Sequence, residues 1–204
     1  MTDMMTDIAT PADAWLKAAY DALVTQGVDA VKTGALADKL GVARSGLYWH
    51  FKNRKALLDA LLLQWERKNT GNLVARTEAY ADTITEAVFN LFDCWMDLDL
   101  FDSRLDRAVR NWALGNAQVT AKLRAADTAR VAAIRAMFER FGYTPEQAEA
   151  RAFTIYYTQM GYIAMIVIEP LEERVEKAAT YVETFTGVSP SAADVARFKA
   201  RHIS

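Results

Sequence analysis

The chain has little of what many other protein classes depend on. Of its 204 residues one is cysteine, Cys94, two are histidine, His50 and His202, and four are proline. A lone cysteine excludes an internal disulfide and leaves no cysteine cluster for zinc, which fits a reducing cytoplasm. Between His50 and His202 no histidine is available as a general base or metal ligand, and no glycine-rich phosphate loop is present. No enzymatic activity, metal or cofactor is therefore expected. The longest apolar stretch, Ala152 to Ile168, has 17 residues and is interrupted by Thr154, Thr158, Gln159 and Gly161. That falls short of the roughly 20 residues that cross a bilayer and reads as a buried helix, so no membrane partner is expected. The opening MTDMMTD is acidic and lacks an apolar core. It predicts no export and a cytoplasmic location.

What is present points to helices. Apolar residues make up 52% of the chain and the net charge is only -2, which argues against disorder. Apolar residues recur at helical spacing from the Thr10, Pro11, Asp13 signature to about Gln26, through Leu57, Leu58, Leu61, Leu62 and Trp65 to about Asn69, and from Ala75 to Met96. The pattern continues from Phe101 to Leu114, along Val119 to Phe141, from the Thr144, Pro145, Gln147 capping signature to about Ile168, and from Leu171 to Phe185, before a short last helix. No strand alternation and no repeat interrupts the series. With the two short helices described next, the prediction is an all-α chain of about ten helices.

The densest information lies between Thr33 and Leu58, TGALADKLGVARSGLYWHFKNRKALL. Thr33 can cap a helix whose inward face is Leu36, Ala37 and Leu40. Gly41 then turns the chain, and a second short helix follows with Leu47 and Phe51 inward. Arg44, Ser45, Tyr48 and Trp49 are left outward. Residues 32 to 55 hold six cations, Lys32, Lys39, Arg44, Lys52, Arg54 and Lys55, against one acid, Asp38, a local charge of +5 in an acidic chain. A patch of this kind draws a polyanion without making the whole protein adhesive to nucleic acid. These are the parts of a helix-turn-helix DNA reader. Arg44 and Ser45 stand where base-edge readers sit, and arginine matches guanine bidentately; a phosphate contact is the rival role for Arg44.

The string KLGVARSGLYWHFKNRKALLDAL resembles the DNA-binding motif of the tetracycline-repressor (TetR) family. The likeness is close over residues 33 to 62 and extends in outline back to residue 12. Beyond about residue 70 it supports only the general plan. It implies a three-helix DNA-binding head, residues 1–56, and a helical ligand-binding and dimerisation domain, residues 57–204. It further implies that Tyr48 and Lys55 grip phosphates, although Tyr48 packed on the head and Lys55 solvated are the plain alternatives. Thr33, Gly46, Trp49 and His50 complete the implied DNA-binding set, with Trp49 and His50 divided between packing and DNA. His50 offers a hydrogen bond more than a charge, and Gly46 gives close approach. Gly34 departs from the tetracycline repressors, which carry a base-reading arginine there, so a different operator is expected. Without a histidine in the body, the magnesium-tetracycline chelate those repressors take is not the expected effector.

The body is less explicit. Cys94 reads as a small core residue rather than a redox sensor. Asp93, Asp97, Asp99, Asp102 and Asp106, interleaved with Arg104 and Arg107, read as a solvated face rather than a site for a cation. Trp95, Trp112, Phe138, Phe153, Tyr156, Tyr157 and Met160 either line an apolar ligand pocket or form core. The function predicted is a homodimeric regulator, a repressor, that leaves a palindromic double-stranded DNA operator when a small-molecule effector enters the body. A DNA-binding regulator without such a ligand, controlled by a partner protein, is the alternative. The last two long helices, about 145 to 168 and 171 to 186, are the expected dimer seam.

Overall fold

A polar side chain immediately before an apolar run starts most of the helices. The computed structural model describes residues 11–203, which form ten α-helices and no strand. Thr10 and the opening MTDMMTD lie outside the described residues. Asn53 accepts from the Ala56 N–H and starts α3 (Arg54–Trp65), and Thr83 accepts from Glu86 and starts α5 (Ile84–Met96). Asp102 caps α6 (Ser103–Ala113), Asn116 caps α7 (Ala117–Arg140), and Ser191 caps α10 (Ala192–His202). Thr144 and Gln147 close the predicted capping box on α8 (Pro145–Ala164). Pro170 precedes α9 (Leu171–Thr186), which stops at Gly187 in the left-handed conformation.

Three boundaries differ from the sequence reading. The chain stays helical past Asn69 and Gly71: α3 runs into a π-helical turn, Glu66–Gly71, and then into α4 (Asn72–Glu78). Asn69 and Thr70 are turned inward there and bonded to α6 and α7, which carries the helix through residues that would otherwise break it. The predicted helix from Ala75 to Met96 is instead broken at residues 79–83. There Ala79 leaves helical geometry, the Asp82 N–H donates to Glu86, and Thr83 restarts the chain. The helix expected to reach Ile168 ends at Ala164, because Ile166 adopts a positive φ of 54°.

Two cores result. One gathers α1 (Pro11–Gln26), α2 (Thr33–Leu40) and α3 around Trp15, Leu36, Leu47 and Trp65, and runs on into Leu105, Val109 and Val119 of α6 and α7. The other packs α5, α7, α8 and α9 around Phe89, Phe138, Ile155 and Val182. The head is therefore seated on the α6–α7 end of the body. Tyr20 of α1 fastens that junction by donating to Asp102 at 2.5 Å. Burial and the neighbouring Asp102 push the Tyr20 hydroxyl up to about 12, so it holds its proton and the bond at ordinary pH.

Candidate nucleic-acid interface and body cavity

α2 begins at Thr33, but Thr33 is its first residue and not its cap. The cap position is Lys32, which has no side-chain acceptor and makes no side-chain cap bond. Gly41 ends α2 at φ 67°, and the Val42 N–H bonds back to the Ala37 carbonyl at 3.1 Å. The reader segment, Arg44–Trp49, is a 3-10 helix rather than the expected α-helix. Six residues pinned at both ends cannot develop an α-helical ladder, so the tighter i to i+3 bonds dominate, as from Gly46 N–H to Ala43 and from His50 N–H to Leu47.

This segment is held by one deep anchor. Leu47 is wholly buried and Phe51 half-buried, while Tyr48 and Trp49 are 61% and 85% exposed. Arg44, Ser45, His50, Lys52 and Lys55 are exposed beside them. Gly46 differs from expectation. A Cβ added there would lie 3.7 Å from the Trp15 ring, so the absent side chain faces the head's own core. Gly34 supports Arg44 directly: a Cβ on Gly34 would come within 3.0 Å of three guanidinium atoms of Arg44. The arginine lies over α2 because a glycine is there.

The six cations divide by duty. Arg54 is committed to structure, its Nε donating to the Val31 carbonyl and its Nη2 to the Val28 carbonyl at 2.7 Å. Lys39 pairs with Asp21 at 3.0 Å and Lys55 with Asp59 at 2.7 Å. Both pairs are exposed, so each lysine exchanges its carboxylate for a phosphate at little cost.

In the body, the acids read as a solvated face are partly interior. Asp97 and Asp99 are exposed, but Asp93, Asp102 and Asp106 are buried. Asp106 accepts from Trp65 Nε1 at 2.8 Å, Arg110 Nε at 2.8 Å and Arg130 Nη1 at 2.9 Å. Arg130 also donates to Thr70 at 2.9 Å and to the Tyr156 hydroxyl at 3.2 Å, and Tyr156 donates to Asp127 at 2.6 Å. Burial by itself would push the Asp106 carboxyl up. The Arg130 and Arg110 guanidiniums outweigh that and hold it below the usual carboxylate range. This network joins α3 and the π-helical turn to α6, α7 and α8. Sequence reasoning missed it, although one signal was present: Arg130 occupies an inward position in the series Ala126, Ile134, Met137.

The aromatic set that either lines a pocket or forms core is not gathered around one cavity. Phe138 is core, Met160 is packed on the core, and Tyr156 belongs to the buried network. Trp112 sits at the head–body junction, and Tyr157, stacked on Phe153 with ring centroids 5.3 Å apart, is exposed. Only Trp95 of that set lines a cavity among α5, α8 and α9, where Phe92, Tyr162, Tyr181 and Phe185 are its aromatic neighbours. A second cavity of about 350 Å³ adjoins it on the α6 side, sharing Trp95, Gln159, Tyr162 and Arg174. Cys94 is buried in the core, and burial pushes its thiol up to about 12.

Residues 16–61 match the family model described as bacterial regulatory proteins, tetR family. The tetracycline repressor protein class A from transposon 1721 of Escherichia coli is 44% identical over 63 residues, 31% of this chain and 29% of that protein. The class C repressor of Escherichia coli is 47% identical over 49 residues, 24% of this chain and 22% of that protein. The chain thus matches less than a third of the length of these relatives. Two crystal structures share the fold over nearly the whole chain at 18% identity. One, described as a candidate TetR-family transcriptional regulator from Mesorhizobium loti, has a TM-score of 0.58 and covers 94% of this chain and 96% of its own. The other, a transcriptional regulator from Rhodococcus sp. Rha1, has a TM-score of 0.57 and covers 93% and 96%. In sequence, residues 16–61 are similar to the tetR family of bacterial regulatory proteins, and over nearly its whole length the chain has the fold of these two crystal structures.

Proposed function

We propose that this protein is a cytoplasmic repressor of transcription that binds a palindromic operator as a homodimer and is released by a small-molecule effector. The observation that carries the reading is the reader segment. Arg44, Tyr48 and Trp49 stand exposed on a short element whose one anchor, Leu47, is fully buried, and His50, Lys52 and Lys55 follow it, also exposed. A rigid element with an aromatic and cationic outer edge suits a DNA groove and gains nothing from solvent. Thr33, Tyr48 and Lys55 hold phosphates, Arg44 and Ser45 read base edges, and Trp49 and His50 contact the backbone beside them. The helices of residues 57–204 serve as the effector and dimerisation domain. α8 and α9 form the dimer seam, for which the exposed Tyr157, stacked on the half-buried Phe153, supplies an apolar surface.

Release is supported by the position of α6. At its N-terminus Asp102 and Asp106 hold the head through Tyr20 and Trp65, and its Arg107 lines the 350 Å³ cavity. An effector that prefers a shifted α6 loosens DNA by its differential affinity for the two arrangements. Selection of binding sites from random DNA tests the reading. The expected product is a palindrome with half-site centres about 10 base pairs apart. With about three phosphates neutralised per subunit, affinity falls with salt at a log–log slope of about -5. Enrichment of no sequence, or affinity independent of salt, refutes the reading.

A further inference from the structure

The cavity beside α6 has a one-sided chemistry. Its walls are largely apolar, with Phe101, Ile163 and Val167 among them, yet its polar lining includes Arg104, Arg107 and Arg174 and no acidic side chain. Arg104 pairs with Asp102 at 3.7 Å. The other two lack a counter-ion. Arg107, half-buried, has no hydrogen-bond or ion-pair partner among the described residues. Among the described residues Arg174, also half-buried, makes one hydrogen bond, from Nη2 to the Trp95 carbonyl at 2.6 Å, and no ion pair. The nearby Glu169 is already paired with Lys177 at 2.7 Å. Burial lowers Arg174 below the ordinary arginine value, and the nearby Glu169 offsets this only in part.

Trp95 supplies an independent observation. Its ring is 8% exposed and stands in the wall shared by both cavities, and its indole N–H is buried with no acceptor. A buried donor left unpaired is costly, so such groups commonly await a ligand or water. Ile166, at a positive φ, and Ile168, 89% exposed, add aliphatic side chains to the lining.

We propose that this cavity binds an apolar monocarboxylate, with Arg107 and Arg174 pairing the carboxylate, the Trp95 indole N–H donating to it, and the aliphatic walls covering its chain or ring. The volume of about 350 Å³ is at the small end of ligand sites and suits an acid of medium length. The proposal rests on the reading of the body as an effector domain and names the class of effector.

Isothermal titration calorimetry of the full chain with sodium octanoate and sodium 4-phenylbutyrate tests it, with 1-octanol and octylamine as neutral and cationic controls. The acids bind saturably and the controls much more weakly. Arg107→Gln and Arg174→Gln each weaken octanoate about ten- to a hundredfold, the range for losing a hydrogen bond to a charged group. Arg107→Lys retains part of the affinity. Arg124→Gln, which removes an exposed arginine of α7 outside the cavity, leaves it unchanged. Circular-dichroism melts confirm that each variant is folded. Absence of acid binding, equal binding of 1-octanol, or wild-type affinity in both glutamine variants overturns the proposal. Operator affinity measured with and without octanoate separates the two readings. An acid that binds through these arginines without loosening DNA overturns the effector role and leaves the site standing, whereas release by a neutral or cationic compound alone sustains the effector role and overturns the class.

Discussion

Replacing Asp106 by asparagine probes the junction between head and body most directly. The carboxylate is fully buried and receives four donors, from Trp65, Asn69, Arg110 and Arg130. The amide conserves the volume and removes the charge. Arg110 keeps Asp127, at 2.7 Å, but Arg130 is left with the neutral Thr70 and Tyr156 and an Asp127 oxygen at 3.9 Å. Its Nη2 already has no partner. Removing one member of a buried ion pair costs about 3–5 kcal/mol, against a total stability of about 5–15 kcal/mol. For a chain of this size a loss of 1 kcal/mol lowers Tm by about 2–4 °C, so Asp106→Asn lowers it by about 6–20 °C. Arg130→Met in the same chain removes the stranded charge and recovers part of the loss. The sign in pH is also determined. The folded carboxyl lies below its ordinary value, so its contribution is complete above about pH 4 and is lost as pH falls through the folded value. Melts of the wild type, both single variants and the double variant from pH 7 to pH 3 check this. A fall of less than 2 °C at pH 7, or a double variant as unstable as the two single losses combined, refutes the argument that this charge is sealed from water and paired.

Gly34→Ala adds a Cβ within 3.0 Å of the Arg44 guanidinium, a flexible end that moves aside. Tm should hold or rise, since alanine gains up to about 1 kcal/mol over glycine in a helix, while operator affinity measured by fluorescence anisotropy falls. Lys55→Ala removes an exposed ion pair, so stability changes by less than about 0.5 kcal/mol. The log–log salt slope should shrink by about 2 per dimer, one phosphate from each subunit. Cys94, buried and with its thiol raised to about 12, should not react with a disulfide reagent at pH 8 until the protein is denatured. Fast labelling of the native protein is the contrary result.

Much of the helix order can be read along the chain because each signal is local. Asn53, Thr144 and Gln147 act on N–H groups within three residues of themselves, and Leu47 shows its inward role by spacing alone. The Thr83 start is legible in the same way, since Glu86 follows three residues later, although the apolar recurrence of Ile84 to Trp95 continues that of the residues before it. The position of the Arg44–Trp49 segment is legible along the chain, and its 3-10 winding is not. Whether six residues wind as α or 3-10 depends on how Leu47 and Phe51 are pinned against α1 and α3.

The amino-acid sequence alone determined that this chain is helical, where its head lies, and which face of the head is aromatic and cationic, because periodicity and capping are properties of neighbours. Only the tertiary structure decided which charges are interior and which aromatics surround a space. Asp106 meets Trp65 from 41 positions away and Arg130 from 24, and Tyr156 closes the same network from α8. A carboxylate on a helix face looks the same in one dimension whether water or two guanidiniums await it. The packing of α3, α6, α7 and α8 against one another settles which, and it leaves Arg107 and Arg174 lining a cavity with no anion of their own.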